Sequence, residues 1–176
     1  ALFVLISSLE RGKAWYHWPN ALKQRQADAL HQMTNKYAAE IKEIKWQQFV
    51  FFRQWKTLKN KANTLNIKII GDLPFYCAHN SADVWANPKL FAVDKAGQVT
   101  GVAGVPPDYF NADGQLWGMP VYNWKAMNEE SFEWWKKRMA INLSLYDKIR
   151  LDHFRAFDEY WEVPANSETA KAGSWK

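Results

Sequence analysis

Twice in this chain a run of apolar residues at helical spacing gives way to a short β-branched run that ends near an aspartate. In the first case Tyr37, Ile41, Ile44, Phe51, Trp55, Leu58, Ala62 and Leu65 recur at steps of three, four and seven, which predicts one long helix from Thr34 with these residues on its buried face. Asn66 is placed to end that helix in the left-handed conformation. Ile67-Lys68-Ile69-Ile70, closed by Gly71-Asp72-Leu73-Pro74, then predicts a buried strand, with Pro74 stopping the ladder. In the second case Asn128 caps a predicted helix that carries Glu129 and Glu130 in its first turn and buries Phe132, Trp135, Met139, Leu143 and Tyr146. The strand Lys148-Ile149-Arg150-Leu151-Asp152 follows. Two helix-then-strand units in succession predict an α/β fold with a parallel sheet and right-handed crossovers.

Asp72 and Asp152 stand 80 residues apart, whereas a plain βα repeat takes about 30. Residues 74–127 therefore read as a long insertion, rich in proline, glycine and asparagine, that carries nine aromatics including Phe75, Tyr76, Trp117 and Tyr122. A connection of that length inside a compact domain is more often functional than a linker. In parallel barrels such loops lie on the face where chemistry is done. Residues 1–33 read as a mixture of loop and short helix, with a turn at Pro19 and Asn20. At 176 residues the chain falls short of the roughly 250 of a closed (β/α)8 barrel. With no initiator methionine, both ends are expected to be cuts in a longer chain.

Composition narrows the function classes. The eleven tryptophans suit a packed core but also stacking on the flat apolar faces of sugars and bases. A net charge of +5 raises a polyanionic partner. The basic residues are scattered, however, and the densest stretch, Lys36 to Lys61, reads as the solvated face of a helix, so no nucleic-acid partner is expected. The single cysteine, Cys77, permits no intrachain disulfide and no Cys-rich zinc site, and is expected to be a buried, inert thiol in a cytoplasmic protein. No apolar run approaches the roughly 20 residues that span a bilayer, so no membrane association is expected. No metal site is expected either, because zinc-spaced His/Cys clusters are absent, as are Gly-rich phosphate cradles and Ser nucleophile elbows.

The residues that point to chemistry cluster at the strand ends and in the insertion. Along a strand, side chains alternate, so Arg150 and Asp152 share one face, and Ile149, Leu151 and His153 take the other if the strand runs that far. A neighbouring arginine favours the charged form of a carboxylate and offers directional hydrogen bonds, which is what a glycosidic nucleophile requires. A purely structural Arg/Asp pair fits the same spacing. Asp72 ends the earlier strand in the same way, either to meet a sugar hydroxyl or simply to cap a turn. Gly104-Val105-Pro106-Pro107-Asp108-Tyr109-Phe110 and Gly114-Gln115-Leu116-Trp117-Gly118-Met119-Pro120 form a stiff loop, suited to displaying Trp117 as a carbohydrate platform or to closing an aromatic mini-core.

These motifs carry a resemblance. Gly-Asp-Leu-Pro at 71–74, Ser-Ala-Asp-Val-Trp at 81–85, Gly-Val-Pro-Pro-Asp-Tyr-Phe at 104–110, Gly-Gln-Leu-Trp-Gly at 114–118 and Arg-Leu-Asp-His-Phe-Arg at 150–155 resemble the 4-α-glucanotransferase family, also called amylomaltase or disproportionating enzyme. Phe51-Phe52-Arg53-Gln54-Trp55 upstream and Gly173-Ser174-Trp175 downstream extend it over nearly the whole chain. The resemblance implies part of a (β/α)8 barrel related to the α-amylases. It implies cleavage of α-1,4-glucans or maltooligosaccharides and transfer of the released segment to the 4-hydroxyl of an acceptor glucan or glucose. It makes Asp152 the nucleophile and Arg150 its partner. It also implies that Asp72, Asp108, Trp117 and His153 bind substrate, and that no cofactor is used. The family's acid/base glutamate and third carboxylate would lie beyond Lys176, so the chain is expected to be inactive alone; Glu159, Glu162 and Glu168 do not occupy that motif position. Cys77 and Met119 depart from the family, where an aliphatic residue and asparagine are usual. An α-glucan hydrolase and a non-catalytic carbohydrate-binding module are the alternatives.

Overall fold

The computed structural model describes residues 1–176. The chain divides into two compact units, each discontinuous in sequence: Ala1–Gly71 with Lys137–Arg150, and Asp72–Lys136 with Leu151–Lys176.

The first unit is helical. Helices α1 (Leu2–Leu9), α2 (Asn20–Lys23), α3 (Ala27–Lys36) and α4 (Ala38–Thr64) precede β1 (Ile70–Leu73). Leu5, Ile6, Trp15, Trp18 and Ile41 are buried in it. The helix predicted from Thr34 is two helices, because Tyr37 leaves the helical region at φ −117° and ψ 36°. Asn66 ends α4 with φ 58°, as its residue type predicts. The predicted buried face is only partly so: Ile41 is covered, while Phe51, Leu58 and Leu65 remain more than half exposed. Periodicity marks a helical segment here without fixing how much of its stripe the fold covers. The first strand is displaced too, since it runs Ile70–Leu73 through the Gly-Asp-Leu segment, and Ile70 is exposed.

A polar clamp joins α4 to the connection that follows helix α7 (Glu133–Leu145). Trp55 Nε1 donates to Leu145 O at 2.9 Å, and Lys59 Nζ donates to Tyr146 O at 3.0 Å. Asp147 Oδ2 accepts from Ile69 N–H and from Asn63 Nδ2, each at 2.9 Å. The Ile69 N–H bond chiefly, and the Asn63 amide next, hold the Asp147 carboxyl below its ordinary value. A depressed folded value contributes stability that is present above the unfolded value and is lost as pH falls through the folded one. Asp147→Asn is therefore expected to lower the thermal midpoint at neutral pH and to flatten its decline below about pH 4. Melts recorded between pH 7 and pH 2.5 check this; parallel acid profiles for both proteins would refute it.

Strands β1 and β4 (Lys148–Leu151) form a two-stranded sheet. Asp147 N–H donates to Ile69 O and Asp152 N–H to Leu73 O, so the pairing advances in one direction along both strands and is parallel, as predicted.

The second unit holds α5 (Ala82–Ala86), β2 (Gly101–Val105), β3 (Gln115–Pro120), α6 (Trp124–Glu129), β5 (Trp161–Pro164) and β6 (Ser174–Trp175). An antiparallel sheet runs in the order β3-β2-β5-β6. The two motifs expected as a stiff loop thus form a hairpin, with residues 106–114 as its tip. Its glycines read as loop, yet Gly104 lies where a Cβ would meet Gln115 O at 2.5 Å, so the strand needs glycine for a close backbone approach. The helix expected from Asn128 is also corrected. Asn123 caps α6 by accepting from Ala126 N–H, and Ser131 and Phe132, both at positive φ, separate α6 from α7. Asn128 sits inside α6, and Phe132 and Leu143 are exposed rather than buried.

At the centre of this unit lies an aromatic core. Phe75, 2% exposed, has ring centroids within 6.3 Å from Tyr76, Tyr122, Trp124, Trp135, His153 and Phe157. Tyr122 Oη donates to Phe75 O at 2.5 Å, fixing the backbone just after β1. Cys77 is buried, as its type predicts. No helix is long and apolar enough to cross a membrane.

Candidate active site

A cavity of about 280 Å³ opens in the second unit, lined by Pro74, Phe75, Tyr76, Trp117, Met119, Asp152 and His153. Three local devices build it. Pro74 ends β1 and turns the chain so that Phe75 drops into the aromatic core and Tyr76 reaches the wall. In the hairpin, the register slips between the Val102/Pro120 and Gly104/Leu116 pairs, which makes room for a bulge of Trp117, Gly118 and Met119. Gly118 takes φ 71°, the bend that a bulge asks of glycine, and Trp117 and Met119 both line the cavity. The third device is the exit from β4. The strand stops at Leu151, and His153 adopts φ 50° and ψ 43° ahead of a short 3-10 turn.

That exit corrects the expected alternation. His153 does not continue the strand on the face opposite Asp152; its left-handed backbone places both residues on the same cavity. Trp117 meets the His153 ring edge to face, with centroids 4.9 Å apart and planes at 82°. Trp117 Nε1 donates to Gln115 Oε1 at 3.1 Å, which holds the indole over the cavity. His153 Nε2 is buried without a hydrogen-bond partner. Burial chiefly, with help from the Arg155 charge and against the pull of Asp152, lowers the imidazole below its ordinary value, so the ring is neutral at neutral pH.

The structure thus brings Asp152, His153 and Trp117 together. The other three predicted residues stand elsewhere. Arg150 is exposed on β4, two positions before Asp152, and Asp72 is exposed on β1 between buried Gly71 and Leu73; neither lines this cavity. Asp108 sits in the hairpin tip, where its Oδ1 accepts from the N–H groups of Phe110 and Asn111. That arrangement shapes the turn and leaves Tyr109 and Phe110 almost fully exposed. Tyr76 and Met119 were not singled out in the sequence for this cavity. A proline directly after a strand end is the signal that could have pointed to Tyr76, since the residues after it form the strand's C-terminal rim.

A bulged hairpin and two parallel strand ends around one carboxylate do not by themselves name a family. The family model described as 4-alpha-glucanotransferase matches residues 1–176. The chain belongs to the 4-alpha-glucanotransferase family. The 4-alpha-glucanotransferase of Aquifex aeolicus is 49% identical over 99% of this chain and 36% of its own length. The Synechocystis enzyme of the same name is 46% identical over 99% of this chain and 35% of its length. Among solved structures, the amylomaltase of Streptococcus agalactiae in complex with acarbose superposes with a TM-score of 0.96 at 41% identity, covering 100% of this chain and 36% of its own. The chain thus spans about a third of the length of the 4-alpha-glucanotransferases it matches, and its α/β architecture is that of the corresponding third of an amylomaltase.

Proposed function

We propose that this chain is part of the (β/α)8 catalytic domain of a retaining 4-α-glucanotransferase, with residues 74–127 forming a loop insertion beside its active site. The observation that carries the reading is the cavity in which a carboxylate, Asp152, faces an indole, Trp117, that is held by its own hydrogen bond. Family membership and the names of the relatives support it. In the proposed reaction, a carboxylate oxygen of Asp152 attacks the anomeric carbon of an α-1,4-glucan and the bond to the 4-oxygen breaks. That oxygen takes a proton from a glutamate supplied by the rest of the enzyme. The acceptor's 4-hydroxyl then attacks the same carbon, returning its proton to the glutamate and releasing Asp152. Two inversions give net retention.

Arg150 holds the nucleophile's face of β4 positive, and Asp72 closes the neighbouring strand end. Trp117 stacks on glucosyl units, His153 offers a neutral imidazole to a hydroxyl, and Asp108 shapes the tip beside the bound glucan. Maltooligosaccharides, α-1,4-glucans and glucose are the proposed partners, and neither nucleic acid nor membrane takes part.

Incubating the full-length enzyme with maltotriose tests the reading: glucose should appear together with a ladder of longer maltooligosaccharides. Glucose and maltose without longer products would replace it with the hydrolase. Tight maltooligosaccharide binding without any turnover would replace it with the binding module. The 176-residue chain alone should give no products.

A further inference from the structure

The polar atoms around the cavity differ in what already occupies them. Trp117 Nε1 is engaged by Gln115, and His153 Nε2 is unpaired. Tyr76 is 5% exposed and lines the cavity, yet its hydroxyl has no hydrogen-bond partner within the chain. The contrast with its neighbour is direct. Tyr122 stacks on Tyr76 at 5.7 Å with planes at 23°, and its hydroxyl is satisfied by Phe75 O. Further ring contacts, with Phe75 at 4.9 Å, His153 at 6.0 Å and Trp117 at 6.2 Å, leave Tyr76 little freedom to turn its hydroxyl elsewhere. Unlike His153 Nε2, the Tyr76 hydroxyl is not fully buried, so it stays open to a partner from outside the chain, as a phenol without an internal hydrogen bond requires.

We propose that Tyr76 is a substrate-positioning residue whose hydroxyl donates a hydrogen bond to one hydroxyl of the glucosyl unit held against Asp152. This deepens the transferase reading and rests on it. Burial first, then the neighbouring Tyr160 and Glu162, push the phenol above its ordinary value, so it remains a donor wherever the enzyme works. The bond aims the sugar by its rim while Trp117 holds its apolar face. The ring of Tyr76, fixed on one side by Tyr122, provides the rigidity that positioning needs.

The test uses the full-length enzyme, maltotriose and the set of monodeoxy maltotrioses. Tyr76→Phe, which keeps the ring and removes only the hydroxyl, is expected to raise KM for maltotriose about threefold to tenfold, with kcat and the thermal midpoint little changed. For the one deoxy analogue that lacks the partner hydroxyl, wild type and Tyr76→Phe should have equal KM; for the others the ratio should persist. An unchanged KM for maltotriose, or a KM ratio that persists with every deoxy analogue, would overturn the assignment and leave Tyr76 a packing residue in a working transferase. Failure of the wild type to act on maltotriose would instead overturn the transferase reading, and this assignment with it.

Discussion

Asp152→Asn in the full-length enzyme should reduce maltotriose turnover by about four orders of magnitude or more while leaving the fold in place. The substitution is nearly isosteric, and the backbone at this position is held independently of the side chain, because Asp152 N–H donates to Leu73 O at 3.1 Å. What is lost is the charged oxygen that would bond to the anomeric carbon. A neutral amide in its place leaves the surrounding binding groups intact, so maltooligosaccharide affinity should survive while chemistry does not. Initial rates of glucose release measure the loss. Rapid quench and mass spectrometry should detect a glycosyl adduct on the wild type and none on the variant. Residual activity above about one part in a hundred would show that Asp152 is not the nucleophile.

The second large effect concerns stability. Phe75→Ala is expected to cost about 3–5 kcal/mol, the range for deleting a buried aromatic side chain. Phe75 is 2% exposed and touches six other rings, so truncation leaves a cavity that no single neighbour can fill. The damage should not stay local, since Phe75 O is the acceptor that anchors Tyr122 and the next residue is Tyr76. Chemical denaturation of the full-length variant, followed by tryptophan fluorescence, gives the difference directly. A cost below about 1 kcal/mol would mean that the ring cluster relaxes far more easily than its density implies.

Much of this was legible in the sequence, but unevenly. The helix-to-strand alternation and the parallel pairing of β1 with β4 could be read because both depend on local period and chain order. The motif around Asp152 and the aromatic motif around Trp117 pointed to one site, and they meet at one cavity. The hairpin was hidden by its own glycines. Gly104 and Gly118 signal a loop when counted as residue types, although one serves close strand packing and the other a bulge. Burial along α4 is less than its stripe predicts because a period records which residues share a face and not how far that face is covered, and Phe51, Leu58 and Leu65 stay more than half exposed. Asp108 shows what a motif leaves unsaid: its Oδ1 accepts from the N–H groups of Phe110 and Asn111, a turn geometry that residue type and spacing alone do not specify. For Tyr76 the only local signal is Pro74 ending the strand before it, because the rest of its placement depends on Tyr122 stacking from 46 residues away.

The left-handed backbone at His153 governs how mutational scans of this site should be designed. At φ 50° and ψ 43° most side chains strain the main chain, and asparagine, aspartate, histidine and glycine are the types that tolerate the region best. An alanine scan would therefore mix two losses at this position, removal of the imidazole and a backbone penalty transmitted to the adjacent Asp152. Asparagine is the cleaner probe: it keeps a polar side chain suited to the same dihedrals, so any deficit it produces reports on the ring alone.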